Sequence, residues 1–330
     1  MSLFAKVITL FLRLCQRRLL QATNPHVVWR VGAFMTRLLH TLSKPPAQCT
    51  HHAIQVQHIP VEVIENHRPV ANDRLVLLYL HGGGFAFGSA RDFRHFVGRL
   101  CQRAGIATAW VPDYTLMDQS PFPAGLNDVV AVWKALLEQH APEDLVLAGD
   151  SAGGNLSMAL CHALIEQGLP LPSRVFLSSP WLDPSLAMSD TRPEVVDAFL
   201  GADEIKARAW LKRMFADPYV GNVDRQQNKV SPLLGSLQSF PPVYVQCGAR
   251  ELFMVDSLQL VQKARSAGHE CHVDVWLDMF HDFLLFAPRL PEGRSALKAA
   301  ASWLGQGTIQ RPPEYLHRIR QLSSLPTVHP

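Results

Sequence analysis

Short apolar runs bounded by polar residues or glycine recur along the chain and predict eight strands. Several are typical of strands buried on both faces of a parallel sheet, such as Leu75-Val-Leu-Leu-Tyr-Leu80. The first two predicted strands form an antiparallel opening pair. The eight strands are predicted at 53–58, 61–65, 75–80, 106–111, 145–148, 175–178, 243–247 and 272–277.

Segments with helical periodicity separate most of these strands. They predict helices at 91–104, 124–139, 153–167, 255–266 and 294–304. Because strands and helices alternate, we expect an α/β fold with a mostly parallel eight-stranded sheet and helices on both faces.

Residues 1–45 have an amphipathic helical pattern, and two prolines end it. Three interpretations are open. A signal peptide fits poorly, because Arg13 interrupts the apolar stretch and no small-residue cleavage site follows. The others are a membrane-surface helix, with peripheral contact through residues 1–20, and a lid over an active site. One side of the helix carries Lys6, Arg13 and Arg17.

A second segment, 185–220, has no evident strand partner and is predicted to complete the lid. The chain is therefore divided into five parts, with no internal repeat. These are an N-terminal helical cap at 1–45, core at 46–184, a second cap segment at 185–220, core at 221–310 and a tail at 311–330.

Composition narrows the class of protein. The 330 residues are 48% apolar and 18% charged, which excludes a disordered chain. The net charge is +3 and no long basic block is present, so the sequence does not indicate nucleic-acid binding. Six scattered cysteines form no C-x-x-C pair, so we expect reduced thiols and no metal site. A soluble cytoplasmic protein without a cofactor is expected, and whether it forms a homodimer stays open.

The strongest chemical motif is Gly149-Asp150-Ser151-Ala152-Gly153, which matches G-x-S-x-G. It directly follows a predicted buried strand and opens a helix, the context of a nucleophile elbow. Glycine on either side lets strand and helix approach closely enough for a strained serine. Ser151 is the predicted nucleophile.

A second loop, His81-Gly82-Gly83-Gly84-Phe85, follows another strand. Its glycines leave backbone N–H groups unobstructed, as an oxyanion hole requires, and the amide of Ala152 would complete it. A phosphate-binding loop is excluded, since no G-K-[ST] follows and the G-x-G-x-x-G spacing is absent.

The general base and its acid are chosen by their order along the chain. In folds that carry a G-x-S-x-G nucleophile elbow, the catalytic residues follow in the order Ser, then Asp or Glu, then His. His281 follows the last predicted strand, and Glu251 follows the strand before it. Asp256, expected inside the next helix, is an alternative acid. Asp278 and Asp282, which flank the histidine and are expected to be solvated, are further alternatives.

Taken together, these motifs resemble the hormone-sensitive-lipase-like esterases, a branch of the α/β-hydrolase fold. The resemblance implies roles for Ser151 as nucleophile, His281 as base, and Gly83, Gly84 and Ala152 as oxyanion donors. It also implies a lid built from the N-terminal helices and a mid-chain insertion. The motifs over residues 60–305 are His81–Gly84, Asp113-Tyr114, Phe122-Pro123-Ala124, Gly149–Gly154, Ser179-Pro180-Trp181-Leu182-Asp183, Ser231-Pro232-Leu233 and Phe280-His281.

Two positions depart from the family pattern. The acid is usually aspartate, whereas Glu251 is one methylene longer. The usual R-L-A-P-E after Asp113-Tyr114 is replaced by 115–119, Thr-Leu-Met-Asp-Gln, so local rigidity is expected to differ. Asp113 itself is interpreted either as a tether of the glycine loop or as a turn residue.

We therefore expect a carboxylic ester hydrolase that acts through an acyl-Ser151 intermediate. Phe85 and Phe87, with lid aromatics, are predicted to line a pocket for short to medium acyl chains. An amide, carbamate or lactone hydrolase would use the same triad. A ligand receptor that retains the scaffold without turnover is a third hypothesis.

Overall fold

The computed structural model describes residues 2–42, 44–68, 73–185 and 204–311. Eight strands form one sheet in the order β1-β2-β4-β3-β5-β6-β7-β8. The strands are β1 (Cys49–Val56), β2 (Ile59–Asn66), β3 (Val76–Leu80), β4 (Thr108–Pro112), β5 (Leu145–Asp150), β6 (Arg174–Ser178), β7 (Val243–Gly248) and β8 (Cys271–Trp276).

The sheet is mostly parallel, as predicted. β2 pairs antiparallel with β1 and β4, and every pair from β4 through β3 to β8 is parallel. The β1–β2 turn comes earlier than expected. Gln57 has a left-handed backbone (φ 53°) that ends β1, so the predicted strand 53–58 overran the turn.

The helices of the described residues include all five predicted ones. At the nucleophile, α5 begins at Ser151, two residues earlier than expected, because the turn from β5 is that abrupt. The helices are α1 (Leu3–Leu19), α2 (Pro25–Leu42), α3 (Ala90–Ala104), α4 (Ala124–Leu137), α5 (Ser151–Glu166), α6 (Glu204–Leu211), α7 (Asp217–Val220), α8 (Met254–Ser266) and α9 (Pro291–Gln306). A π-helical turn, Lys212–Ala216, joins α6 to α7.

Two apolar layers cover the sheet, one on each face. Along β3, Leu78 and Leu80 face the layer that contains α4, α5 and α8, whereas Leu77 and Tyr79 face the layer of α3 and α9. This alternation is the two-residue period of a strand. Both faces are apolar because helices cover both, which explains the uninterrupted apolar runs in the sequence. The α/β-hydrolase-type architecture is confirmed.

The N-terminal segment forms two helices, α1 and α2. Ala5 of α1 is buried in the layer of α3 and α9, and Ser2 bonds to Glu292 at the start of α9. α2 packs in the other layer, where Trp29 Nε1 donates to the carbonyl of Met214 (2.9 Å). α2 therefore contacts the π-helical turn of the second predicted cap segment. Residues 186–203 of that segment and the tail beyond 311 lie outside the described residues.

Candidate active site

Ser151 lies at the junction of β5 and α5, with a left-handed backbone (φ 50°) that side chains rarely adopt. A Cβ on Gly149 would lie 2.4 Å from the carbonyl oxygen of Gly153. One on Gly153 would lie 1.9 Å from that of Leu80. The two glycines are therefore required sterically, because strand, turn and helix touch through their backbones.

His281, in the loop after β8, brings its imidazole to Ser151. Nε2 lies 3.0 Å from Ser151 Oγ, within reach for proton transfer. On the other side of the ring, Nδ1 lies 3.5 Å from Oε2 of Glu251, a carboxylate without exposed surface. This second distance is longer than an ideal hydrogen bond, as is common before substrate binds. The three residues predicted from chain order thus form one continuous chain.

Ser179, directly after β6, joins the acid to the histidine loop, and sequence reasoning did not assign it a role. Its hydroxyl donates to Glu251 Oε2 (2.8 Å) and accepts from the Asp282 amide (3.1 Å). Its own amide donates to the carbonyl of Gln246 (2.7 Å), and its φ is 45°. One signal was available, because a hydroxyl at the carboxyl end of the strand beside β5 must lie near the nucleophile.

Asp256, the alternative acid, supports a different segment. It lies in α8, and its Oδ2 accepts from the amides of Leu182 (2.9 Å) and Asp183 (3.1 Å). Burial and the nearby Asp183 raise the pKa of Asp256 to about 7. Its described hydrogen bonds run to the backbone at 182–183, whereas Glu251 lies beside the imidazole.

The two aspartates that flank the histidine differ from each other. Asp278 is exposed, as expected. The expectation that Asp282 is solvated was wrong, because its Oδ2 lies 3.2 Å from His281 Nε2 and its side chain is only 15% exposed. Burial, with Asp150 and Glu251 nearby, raises the pKa of Asp282 well above its ordinary value. The imidazole therefore has a second carboxyl group beside the nitrogen that faces Ser151.

Asp150 links the elbow to the glycine loop. Its Oδ1 accepts from the hydroxyl of Tyr79 (2.6 Å) and from the amide of Gly82 (3.0 Å). Burial raises the pKa of Asp150 to about 6, although both of these hydrogen bonds oppose the shift. The Tyr114 hydroxyl donates to the carbonyl of His81 (2.7 Å), and burial lowers the pKa of the His81 imidazole. The start of the loop is thus fixed from two sides.

The predicted oxyanion donors lie on backbone that is shaped for close approach. Gly83 and Gly84 have φ values of 115° and 61°. A Cβ on Gly83 would lie 2.0 Å from the carbonyl oxygen of Phe87. Within the described ranges, neither the Gly83 nor the Gly84 amide donates to a backbone carbonyl. Ala152 is in the first turn of α5, where amides have no intrahelical acceptor.

Asp113 fixes the far end of this loop and not its glycines, since its Oδ1 accepts from the amide of Ala90 at the start of α3 (2.6 Å). The tether of the glycines is Asp150. The divergent segment 115–119 is held at Thr115, whose amide donates to Asp128 Oδ2 (2.8 Å). A buried aspartate therefore anchors the segment that lacks the arginine and glutamate.

Phe85 and Phe87, the predicted pocket residues, have different surroundings. The Phe85 ring is buried and stacks on Tyr219, with ring centroids 3.6 Å apart. Phe87 is partly exposed and lies edge-on to Phe215 of the π-helical turn. A Cβ on Gly32 of α2 would lie 2.4 Å from the Phe87 ring. Phe87 therefore joins the loop to α2 and to the π-helical turn, whereas Phe85 serves packing.

Among residues 2–42, 44–68, 73–185 and 204–311, no three His, Cys, Asp or Glu side chains are grouped as ligands for a metal ion.

Comparison with known proteins agrees with this architecture. A family model described as the alpha/beta hydrolase fold matches residues 77–285. An acetyl-hydrolase from Streptomyces hygroscopicus is 35% identical over 269 residues, which cover 81% of this chain and 85% of the relative.

Two solved structures are similar over almost the full length. An esterase from the bacterial hormone-sensitive lipase (HSL) family is 31% identical, with a TM-score of 0.80 over 93% of this chain and 98% of the other. EstE5, in a crystal soaked with p-nitrophenyl butyrate, is 28% identical, with a TM-score of 0.78 over 93% of this chain and 99% of the other. The chain belongs to the α/β hydrolase family, in its hormone-sensitive-lipase-like branch of serine ester hydrolases.

Proposed function

We propose that the protein hydrolyses carboxylic esters of short to medium acyl chain through an acyl-Ser151 intermediate. The observation that carries the proposal is the 3.0 Å contact between His281 Nε2 and Ser151 Oγ, with Glu251 on the far side of the ring. Serine alone is a weak nucleophile and needs a base within hydrogen-bond reach. The kinship with an acetyl-hydrolase and HSL-family esterases supports an ester as the substrate.

In the proposed mechanism, Ser151 Oγ attacks the ester carbonyl carbon while His281 Nε2 takes its proton. Glu251 holds the Nδ1–H tautomer and stabilises the imidazolium that forms. The imidazolium then passes its proton to the alkoxide leaving group, and acyl-Ser151 and the alcohol result. A water molecule, activated by the same imidazole, releases the carboxylic acid and regenerates Ser151.

Negative charge develops on the carbonyl oxygen during both attacks. We assign its stabilisation to the amides of Gly83, Gly84 and Ala152, which can donate without any reorganisation of the backbone. The left-handed glycines and the first turn of α5 supply such amides. Loss of one such donor typically costs about 10²- to 10³-fold in kcat.

The acyl-chain preference is supported by the aromatic contacts of the cap. Phe87, Phe215 and Trp210 form a run of edge-on rings beside the glycine loop. Each methylene that the pocket buries contributes about 0.8 kcal/mol, so rates should rise with chain length until the pocket is full. We expect an optimum in a p-nitrophenyl ester series between acetate and long-chain esters, and a shift toward longer chains in Phe87→Ala.

The decisive test is Ser151→Ala, compared with wild type in p-nitrophenyl ester hydrolysis and fluorophosphonate labelling. We expect loss of nearly all turnover and of labelling, with an unchanged unfolding midpoint. Ser173→Ala is a matched control, because it removes a serine hydroxyl at the other end of β5, where that hydroxyl donates to the carbonyl of Leu145. Full activity in Ser151→Ala would refute the assignment. Faster cleavage of a matched amide than of the ester would replace esterase with amidase.

A further inference from the structure

Exposed apolar side chains are concentrated on the first two helices. Among the residues whose exposure is described, nine large apolar side chains are exposed, and seven of them lie on α1 and α2. Single exposed apolar residues are ordinary, but a cluster of this kind marks an interaction surface. The seven are Leu3, Val7, Leu10, Phe11, Val27, Val31 and Phe34.

On each helix these residues form one strip, opposite the face that packs on the core. In α1 the strip follows the spacing i, i+4, i+7, i+8, and Leu3 is 79% exposed, whereas Ala5 on the other side is buried. In α2 the strip follows i, i+4, i+7, and Phe34 is 64% exposed, whereas Trp29 is buried. Each helix therefore has two apolar faces. One packs on the core of the protein, and the other is exposed to solvent.

The charge of residues 1–61 indicates what kind of surface the exposed apolar strips bind. Residues 1–61 contain no acidic residue, so all 28 Asp and Glu lie after them. Seven of the 31 Lys and Arg lie within them, although the whole chain has a net charge of only +3. Lys6, Arg30 and Arg37 are exposed on the two helices, at the flanks of the strips. The seven basic residues are Lys6, Arg13, Arg17, Arg18, Arg30, Arg37 and Lys44.

An apolar strip on a helix whose only charged residues are basic fits an anionic lipid surface. Apolar side chains enter the boundary between headgroups and acyl chains, while each Lys or Arg near the surface gains attraction to anionic headgroups. A second copy of the chain fits less well, because two segments of the same high positive charge would repel. None of the described helices carries an apolar stretch long enough to cross a membrane, so the helices would lie on the surface.

We propose that the exposed strips of α1 and α2 dock the protein on membranes that contain anionic lipid. α2 also contacts Phe87 through Gly32 and the π-helical turn through Trp29. The helix that carries the second strip therefore also contacts, through its packed side, the structure beside the glycine loop. This proposal goes beyond the proposed function, since it concerns where the enzyme works and not which bond it cleaves.

The test is flotation of the full chain with vesicles of phosphatidylcholine alone or mixed with phosphatidylglycerol. We expect binding only to the phosphatidylglycerol vesicles, and weaker binding at high salt because exposed charges are screened. Leu10→Glu and Phe34→Glu should each reduce partitioning about tenfold or more, because each removes apolar area and adds a repelled charge. The matched control is Ile165→Glu, an exposed apolar residue on α5, which should bind like wild type.

Three outcomes would overturn the proposal. The first is binding by Leu10→Glu and Phe34→Glu that equals wild type. The second is no wild-type binding to the anionic vesicles. The third is a dimer in sedimentation that both substitutions dissociate, without vesicle binding, which would make a second copy the occupant. Hydrolysis of a soluble p-nitrophenyl ester should stay within twofold of wild type in both variants, so failure of docking is distinguishable from failure of the esterase proposal.

Discussion

Two regions meet at the candidate active site, and different interactions hold them. The elbow region, residues 149–153 with the loop 81–84, is built from backbone contacts so close that several glycines have no room for a Cβ. The acid–base region, Ser179, Glu251, His281 and Asp282, is built from side-chain hydrogen bonds. In the acid–base region, the residues with positive φ are Ser179 and Asp282. In the glycine loop, they include Gly83 and Gly84.

This difference predicts how each region responds to substitution. Backbone contact through glycine is a steric requirement, so a single added methyl group should disturb the fold of the elbow region. A network of side-chain hydrogen bonds responds to substitution by degrees, because one hydrogen bond can be removed while the loop keeps its shape. We therefore expect the elbow region to lose stability and activity together, and the acid–base region to lose activity first.

The largest expected effect separates Glu251 from Asp256 as the acid. Glu251→Gln keeps the shape of the side chain but removes the charge that stabilises the imidazolium, so kcat should fall about 10³- to 10⁴-fold. Asp256→Asn is the matched control and should retain most of its turnover, because Asp256 bonds the amides at 182–183. Steady-state kinetics on one p-nitrophenyl ester measure both. The reverse ranking would transfer the role of the acid to Asp256.

The next effect tests the elbow region. In Gly153→Ala the added Cβ would lie 1.9 Å from the Leu80 carbonyl oxygen, a backbone atom that cannot move alone. We expect a loss of about 4 kcal/mol in the free energy of urea unfolding, with loss of activity. Gly168→Ala is the control, because it has open space around it and only its left-handed φ (64°) opposes alanine, at about 1–2 kcal/mol. Equal losses in the two variants would remove the steric argument.

A third effect concerns stability against pH. The folded-state pKa of Asp256, about 7, lies above the ordinary value of 3.8. The folded protein therefore holds this proton more tightly than the unfolded chain. The resulting stability is fully present below about pH 4 and is lost as the pH rises through 7. At about 1.4 kcal/mol per unit of pKa shift, the loss is on the order of 4 kcal/mol. The free energy of urea unfolding, measured against pH, should decline less in Asp256→Asn than in wild type. Parallel curves for the two proteins would exclude the raised pKa of Asp256.

The sequence was sufficient for the elbow region and less so for the acid–base region, for a physical reason. The elbow region has a steric constraint that only glycine satisfies. The sequence therefore indicates it directly, through Gly149, Gly153 and the triple glycine. Inner strands such as β3 and β5 were likewise predictable, because burial on both faces leaves an apolar run.

The remaining errors come from contacts between distant segments. Asp282 was expected in solvent, but its backbone amide donates to Ser179, more than a hundred residues earlier, and its side chain lies beside His281. Asp113 bonds Ala90 rather than the glycines, since the tether comes from Asp150 on another strand. Side-chain hydrogen bonds of this kind leave no periodic pattern.

The smallest expected effect tests the residue that joins the two loops of the acid–base region. Ser179→Ala removes the 2.8 Å hydrogen bond to Glu251 and frees the extra rotatable bond of a glutamate where aspartate is usual. A hydrogen bond to a charged group contributes about 1.5–3 kcal/mol, so kcat should fall about tenfold or somewhat more. KM should change little, since Ser179 positions the acid and does not contact the ester. Ser179→Thr, which retains the hydroxyl, should recover part of kcat, whereas a rise in KM at constant kcat would mean that Ser179 shapes the pocket instead.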